Sequence, residues 1–186
     1  MKGINRHIIW QFFTRFGAAL FNLLIGIIIS RYLGSEGRGI HGLFIASVAL
    51  IHLCTNWLGG ASLVYLSSRH PVRQLTWISF WWSSGFAILC WVILQLSGIM
   101  PEGYEWAVLI CSLLFAWWNN LANMLLGKEK TQAYNTLQVI HPMLSALVLM
   151  VFFYWVETGF TSFIWAYGSA QLVNLGLAVK YLKEDY

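Results

Sequence analysis

Residues 16–30 read FGAALFNLLIGIIIS and contain no charged side chain. A helix needs roughly 20 mostly apolar residues to cross a bilayer, and the apolar flanks extend this stretch to a predicted span over residues 8–31. A short apolar stretch near the N-terminus is also typical of a signal peptide. No small-x-small cleavage motif follows, however, because Arg31, Tyr32 and Leu33 come next. We therefore interpret the stretch as an uncleaved first transmembrane helix.

The composition of the whole chain indicates a membrane protein. Of 186 residues, 59% are hydrophobic and 10% are charged, whereas soluble domains average about 45–50% apolar and about 25% charged residues. The eleven Trp residues are typical of a protein that lines two membrane interfaces. Cys54, Cys90 and Cys111 lie in apolar stretches, so we expect three buried thiols and no disulfide framework.

Hydropathy and turn residues predict an all-α integral membrane protein in which residues 1–186 form a single bundle of six helices. Gly59-Gly60 is expected to kink or end the second helix, and Pro142 to kink the fifth. The predicted spans cover residues 8–31, 40–65, 75–98, 104–126, 134–156 and 160–181.

The basic residues predict the orientation of the bundle. Arg31 and Arg38 fall on one side of the predicted spans. Eight fall on the other side: Lys2, Arg6, Arg69, Arg73, Lys128, Lys130, Lys180 and Lys183. Lys and Arg are enriched on the cytoplasmic side of membrane proteins, so both termini are predicted to be cytoplasmic in a cell inner (plasma) membrane. This bias accounts for the net charge of +4 without a nucleic-acid partner.

Motifs for catalysis, cofactors and metals are weak. Residues 37–42 match the glycine pattern of a dinucleotide site, but such a site requires a preceding strand. The five His residues lack metal-ligand spacing, and Asp185 is the one Asp of the chain, so no Ser-His-Asp set can form. We predict no enzymatic activity, no cofactor and no metal site.

The predicted spans also lack deep carboxylates, since Glu105 and Glu157 lie at span ends. Carboxylate relays commonly couple transport to protons. His41, His52 and His141 remain possible proton carriers, but an ion-coupled drug antiporter is the less favoured prediction.

A polar face on the first helix is the leading candidate site. Gln11, Arg15 and Asn22 are spaced by four and seven residues, so they share a helix face with Ala18 and Gly26. Arg within a span costs about 2.5–3.5 kcal/mol at the bilayer centre and usually faces a wet cavity or the bundle interior. Alternatively, Arg15 reaches the cytoplasmic interface with its long side chain.

Asn119 and Asn123 form a second candidate site in the fourth span. They are four residues apart and therefore share a face, beside Trp117 and Trp118. Amides bind sugar hydroxyls, and aromatic faces cover sugar rings. The alternative, and the favoured one, is hydrogen bonding between helices, which is worth about 0.6 kcal/mol on average.

Residues 30–39, SRYLGSEGRG, resemble a glycine-rich turn of one transporter family. The turn R-x-L-G-P-E-G-x-G follows the first helix of polysaccharide (O-antigen type) flippases, which belong to the multidrug/oligosaccharidyl-lipid/polysaccharide exporter superfamily. Ser35 occupies the position of the usual Pro. The second helix, residues 58–61 and residues 67–69 are also similar, so the resemblance covers about residues 8–73.

The resemblance implies a function. Such flippases move a polyprenyl-diphosphate-linked oligosaccharide between leaflets, and basic residues in their cavity are thought to hold the diphosphate; Arg15 is the position here that corresponds. They contain twelve or more helices in two lobes, whereas this chain resembles the N-terminal lobe. The implied partners are the lipid bilayer, a lipid-linked glycan, and a second lobe from a homodimer mate or another membrane protein. The alternatives are a non-transporting scaffold subunit of an envelope polysaccharide assembly and a small-molecule exporter of the superfamily.

Overall fold

The structure is a computed structural model that describes the backbone of residues 2–57, 59–155 and 159–183, with side chains from Trp10 onward. The described residues form helices and turns, without a strand. The six helices are α1 (Lys2–Asn56), α2 (Gly60–Ser67), α3 (Val72–Leu96), α4 (Glu105–Gly127), α5 (Thr131–Trp155) and α6 (Phe160–Leu182). The described part of the chain is thus all-helical, as the sequence predicts.

Helix α1 is broken at Gly34, where the backbone adopts φ 68° and ψ −160°, a conformation that is essentially confined to glycine. The break divides α1 into a first segment, residues 2–33, and a second segment, residues 35–56. A Cβ at Gly37 would overlap Leu33 Cβ. Glycine at this position therefore lets the second segment of α1 approach the end of the first segment closely. The predicted turn over residues 34–39 is therefore shorter than expected, because helical backbone resumes directly after Gly34.

Both segments of α1 meet the bundle at the end where α5 finishes and α6 starts. The Tyr32 ring lies 5.1 Å from the Phe153 ring, and the Phe44 ring lies 5.7 Å from the Phe160 ring. The two segments also contribute to one hydrophobic cluster. The predicted first and second spans are therefore neighbours that pack against α5 and α6.

The second predicted span ends early. The helix stops at Asn56, and the chain resumes as the short helix α2 at Gly60, so the interruption expected at Gly59-Gly60 is confirmed. Helix α2 packs closely on the end of α4, since a side chain at Gly127 would overlap Ser67 Oγ and the Val64 carbonyl oxygen.

The bounds of α3 to α6 match the predicted spans to within three residues. Helix α5 continues without interruption through the buried Pro142. Four helices, namely α1 from Trp10, α3, α4 and α5, are long and apolar enough to cross a membrane. At 1.5 Å per residue, the 47 residues of α1 correspond to about 70 Å of helix, and Gly34 divides this length into two parts of about one bilayer thickness each. The prediction of six membrane crossings includes one by α6. It stays a prediction, because α6 is not among these four helices.

Helix α4 occupies the centre of the bundle and packs extensively against each of the other five helices. Of its most apolar window, 78% is buried, compared with 17% for α1. One hydrophobic cluster surrounds Phe44 and Phe163 near the Gly34 end, and another surrounds Trp118 and Leu125 toward the opposite end. The polar groups described next lie between and beside these clusters.

Candidate functional site

The polar stripe of the first segment, Gln11, Arg15 and Asn22, is exposed along its length. The packed face of this segment lies about a quarter-turn away. It is formed by Thr14, Phe21, Ile25 and Ile29. The stripe therefore runs along the edge of the packed face, in a region that the described residues leave uncovered.

Large apolar side chains surround the stripe. Trp10, Phe12, Phe16 and Leu23 are all more than half exposed. Such a surface suits lipid, whereas a guanidinium and two amides do not. The exposed position of Arg15 fits both alternatives from the sequence, a wet cavity wall and a side chain that reaches the interface.

The asparagine cluster of α4 is divided between environments. Asn123 is buried and Asn119 is half-buried. Asn120, which lies between them, is also buried, and its Nδ2 donates a hydrogen bond of 3.4 Å to the Ser79 carbonyl oxygen of α3. The structure thus supports interhelical hydrogen bonding for Asn120. No described hydrogen bond connects these asparagines with the stripe on the first segment.

A cavity of about 220 Å³ lies where α1 gives way to α2. We call it the break cavity. The Asn120 Oδ1 approaches Gly59, and the Asn56 Oδ1 approaches Gly60 and is buried without a hydrogen-bond partner among the described residues. The residues that line the cavity are Gly59, Ser62, Leu63, Leu66, Leu75, Ile78, Ser79, Trp82 and Asn120.

A second polar region lies at the bundle centre, and we call it the buried polar layer. It consists of His52, His141, Tyr167, Gln171 and Asn174. The His141 ring lies 5.0 Å from the Tyr167 ring, and Gln171 and Asn174 are fully buried. Asn174 Nδ2 donates a 2.9 Å hydrogen bond to the Leu137 carbonyl oxygen on α5, so the layer ties α6 to α5.

Some atoms of the buried polar layer have no hydrogen-bond partner among the described residues: His52 Nδ1, His141 Nε2 and Asn174 Oδ1. A buried polar atom without a partner costs about 1–3 kcal/mol. The sequence analysis did not predict a polar layer that contains Gln171 and Asn174. The signal for a layer was the spacing of Tyr167, Gln171 and Asn174 by four and three residues, which places them on one face of α6.

The described part of the chain contains no group of three or more His, Cys, Asp or Glu side chains positioned to hold a metal ion. The stripe, the break cavity and the buried polar layer contain amides, hydroxyls and imidazoles, together with the exposed Arg15. Such groups bind hydroxyls and phosphates through hydrogen bonds.

Comparison of the chain with protein-family models, with characterised proteins and with solved structures finds no match. The resemblance to flippases through residues 30–39 therefore stays a prediction. Gly34 and Gly37 of that segment have a structural role in the break of α1.

Proposed function

We propose that this chain is one half of a transporter that moves a lipid-linked oligosaccharide across a cell inner membrane. In this proposal the first segment of α1 forms one wall of the pathway, and a second lobe, from a homodimer mate or another membrane protein, forms the opposite wall. Both termini lie on the cytoplasmic side. The observation that carries the proposal is the exposed stripe of Gln11, Arg15 and Asn22 beside the packed face of α1.

The stripe requires a polar neighbour if it lies within the bilayer. A central Arg costs about 2.5–3.5 kcal/mol on insertion scales, and an amide without hydrogen bonds in an apolar medium adds further cost. The part of the bundle that the structure describes does not cover the stripe. A second lobe with a water-filled cleft between the two would provide the missing hydration.

The chemistry of the stripe fits a lipid diphosphate joined to sugars. The planar guanidinium of Arg15 matches phosphate oxygens with paired N–H donors. Gln11 and Asn22 provide amide donors and acceptors for hydroxyls on either side of it. The stripe thus combines one anion-binding group with groups for neutral sugars.

Transport by reconstituted protein tests the proposal. Vesicles with a fluorescent polyprenyl-diphosphate oligosaccharide in the outer leaflet would report its transfer by protection from a membrane-impermeant quencher. The Arg15→Ala variant should lower the transfer rate at least tenfold, and Arg15→Lys should retain part of it. The matched control is Arg38→Ala, since Arg38 is also exposed but lies beyond the Gly34 break. Equal rates for wild type and Arg15→Ala would contradict the role of Arg15.

A scaffold subunit of an envelope polysaccharide assembly is the second candidate, because the same uncovered stripe suits a permanent partner helix. Light scattering in mild detergent, with the detergent mass subtracted, separates the two. Two chains in each particle would favour a symmetric transporter. A single chain without transport activity would favour the scaffold.

A further inference from the structure

The interruption between α1 and α2 resembles the broken helices that form binding sites in membrane transporters. Non-helical backbone at membrane depth is tolerated where it lines a cavity or is buried in protein, and broken helices commonly mark binding sites. Here the break faces Asn120, seven residues before the end of α4 at Gly127, or about 10 Å at 1.5 Å per residue. The break cavity is therefore close to the end that is predicted to be cytoplasmic.

The polar groups at the break cavity are uncharged. Asn120 presents an amide whose single described hydrogen bond is long, at 3.4 Å. Ser62 adds a hydroxyl, and Ser79 belongs to the same wall. No charged side chain is among the described residues that line the cavity. These groups donate to and accept from neutral hydroxyls, and they offer no counter-charge for a phosphate.

The other walls of the break cavity are apolar. Leu63, Leu66, Leu75 and Ile78 line it together with the partly exposed Trp82. A largely apolar pocket with a few directed polar groups is the usual form of a small-molecule site. An aromatic face covers the C–H face of a sugar ring, while amides bind its hydroxyls. At about 220 Å³, the cavity is smaller than the roughly 300 Å³ at which drug-sized sites begin, which suits one ring.

We propose that the break cavity binds a single hexose-sized sugar ring of a membrane glycolipid, through the amide of Asn120, the hydroxyl of Ser62 and the indole of Trp82. This site rests on the proposed function for its substrate class, and it lies apart from the stripe that holds Arg15. It divides recognition between a neutral site for one sugar and a cationic site for the diphosphate.

Photolabelling with two matched probes tests the site. The protein, held in a polyoxyethylene detergent that lacks sugar, is exposed to octyl glucoside or to octyl phosphocholine, each with a diazirine at the first tail carbons. Mass spectrometry then locates the labelled peptides. Labelling of residues 59–66 and 75–82 should be at least fivefold greater with the glucoside probe. Equal labelling by the two probes would overturn the proposal.

Variants sharpen this test. Asn120→Leu should reduce glucoside labelling at least fivefold, whereas Asn119→Leu is the matched control, because Asn119 does not line the cavity. Ser62→Phe fills the cavity from an exposed position and should reduce labelling similarly even if Asn120→Leu does not fold. Unchanged labelling in a folded Asn120→Leu or Ser62→Phe protein would contradict the site.

Arg15→Ala distinguishes this inference from the proposed function. Its glucoside labelling should equal that of wild type while its transfer of the diphosphate-linked oligosaccharide falls. Labelling without any transport by wild type would support the cavity and contradict the proposed function. Transport by wild type without selective labelling would contradict the cavity alone.

Discussion

Helix α4 and the first segment of α1 have similar apolar character but opposite surroundings. Most of α4 is buried, including Asn120 and Asn123, whereas the first segment exposes both its large apolar side chains and its stripe around Arg15. Polar residues inside α4 have neighbours from this chain. Gln11, Arg15 and Asn22 of the first segment are exposed instead, so their position raises the question of an external partner. The difference shows that the role of a polar residue in an apolar helix depends on which residues cover it.

The largest expected difference between α4 and the first segment of α1 is the effect of replacing a glycine by alanine. Gly127→Ala should lower the free energy of unfolding by at least about 3 kcal/mol or prevent folding, because the new Cβ would overlap the Val64 carbonyl oxygen and Ser67, and backbone cannot move aside as a flexible side chain can. Gly17→Ala is the control, since its Cβ would meet no atom within 4 Å. Denaturation in mild detergent, followed by tryptophan fluorescence, measures both. An equal effect at both positions would refute the close contact of α2 with α4.

A matched pair of leucines tests packing. Leu125 of α4 is fully buried, whereas Leu23 of the first segment is 60% exposed. Leu125→Ala should cost about 2 kcal/mol through the cavity that it leaves, and Leu23→Ala less than about 0.5 kcal/mol. The same unfolding measurement applies. If Leu23→Ala proved as costly in the isolated chain, the first segment would be packed rather than uncovered.

A substitution at the break between the two segments of α1 should lower the free energy of unfolding by a smaller amount. Gly34→Ala should destabilise the protein by about 1–3 kcal/mol, because its φ of 68° and ψ of −160° are strained for a residue with a Cβ. Gly39→Ala is the comparison, since Gly39 has no positive φ and a Cβ at this position would meet no atom within 4 Å. A neutral Gly34→Ala would argue for a continuous α1.

The smallest expected effect is an increase in stability. Gly26→Ala in the first segment should raise the free energy of unfolding by roughly 0.5–1 kcal/mol, because alanine favours helix over glycine and its Cβ would meet no atom within 4 Å. The gain should appear in the isolated chain by fluorescence-detected unfolding. A loss would indicate that the Gly26 face contacts other helices.

Turn-forming residues made the helix ends predictable from the sequence, but they did not predict which helices pack against one another. Glycines and prolines give turn signals within a few neighbouring residues, so the interruption at Gly59-Gly60 and the bounds of α3 to α6 were accessible from the sequence. The apparent loop over residues 34–39 was misjudged because the backbone leaves the helical conformation only at Gly34, while Gly37 lets the two segments approach within a helix. Glycine frequency alone does not distinguish a turn from a single-residue break in a helix.

The candidate sites depend on which helices meet, and this information is absent from any single segment. Spacing placed Gln11, Arg15 and Asn22 on one face, and it favoured Asn119 and Asn123 as a pair. It did not indicate that Asn120 would point to the break cavity, because this required α2 to pack on α4. The buried polar layer also joins α5 and α6 through contacts that are distant in the chain.

The central position of α4 has a consequence for biosynthesis. The chain is made from its N-terminus at roughly 5–20 residues per second, and α1 to α3 leave the ribosome before the helix that packs against all of them. During this interval the Ser79 carbonyl and the inner face of α3 lack their eventual neighbours from α4. Nascent chains that stop before Gly127 should consequently be the species that membrane chaperones and quality-control proteases engage.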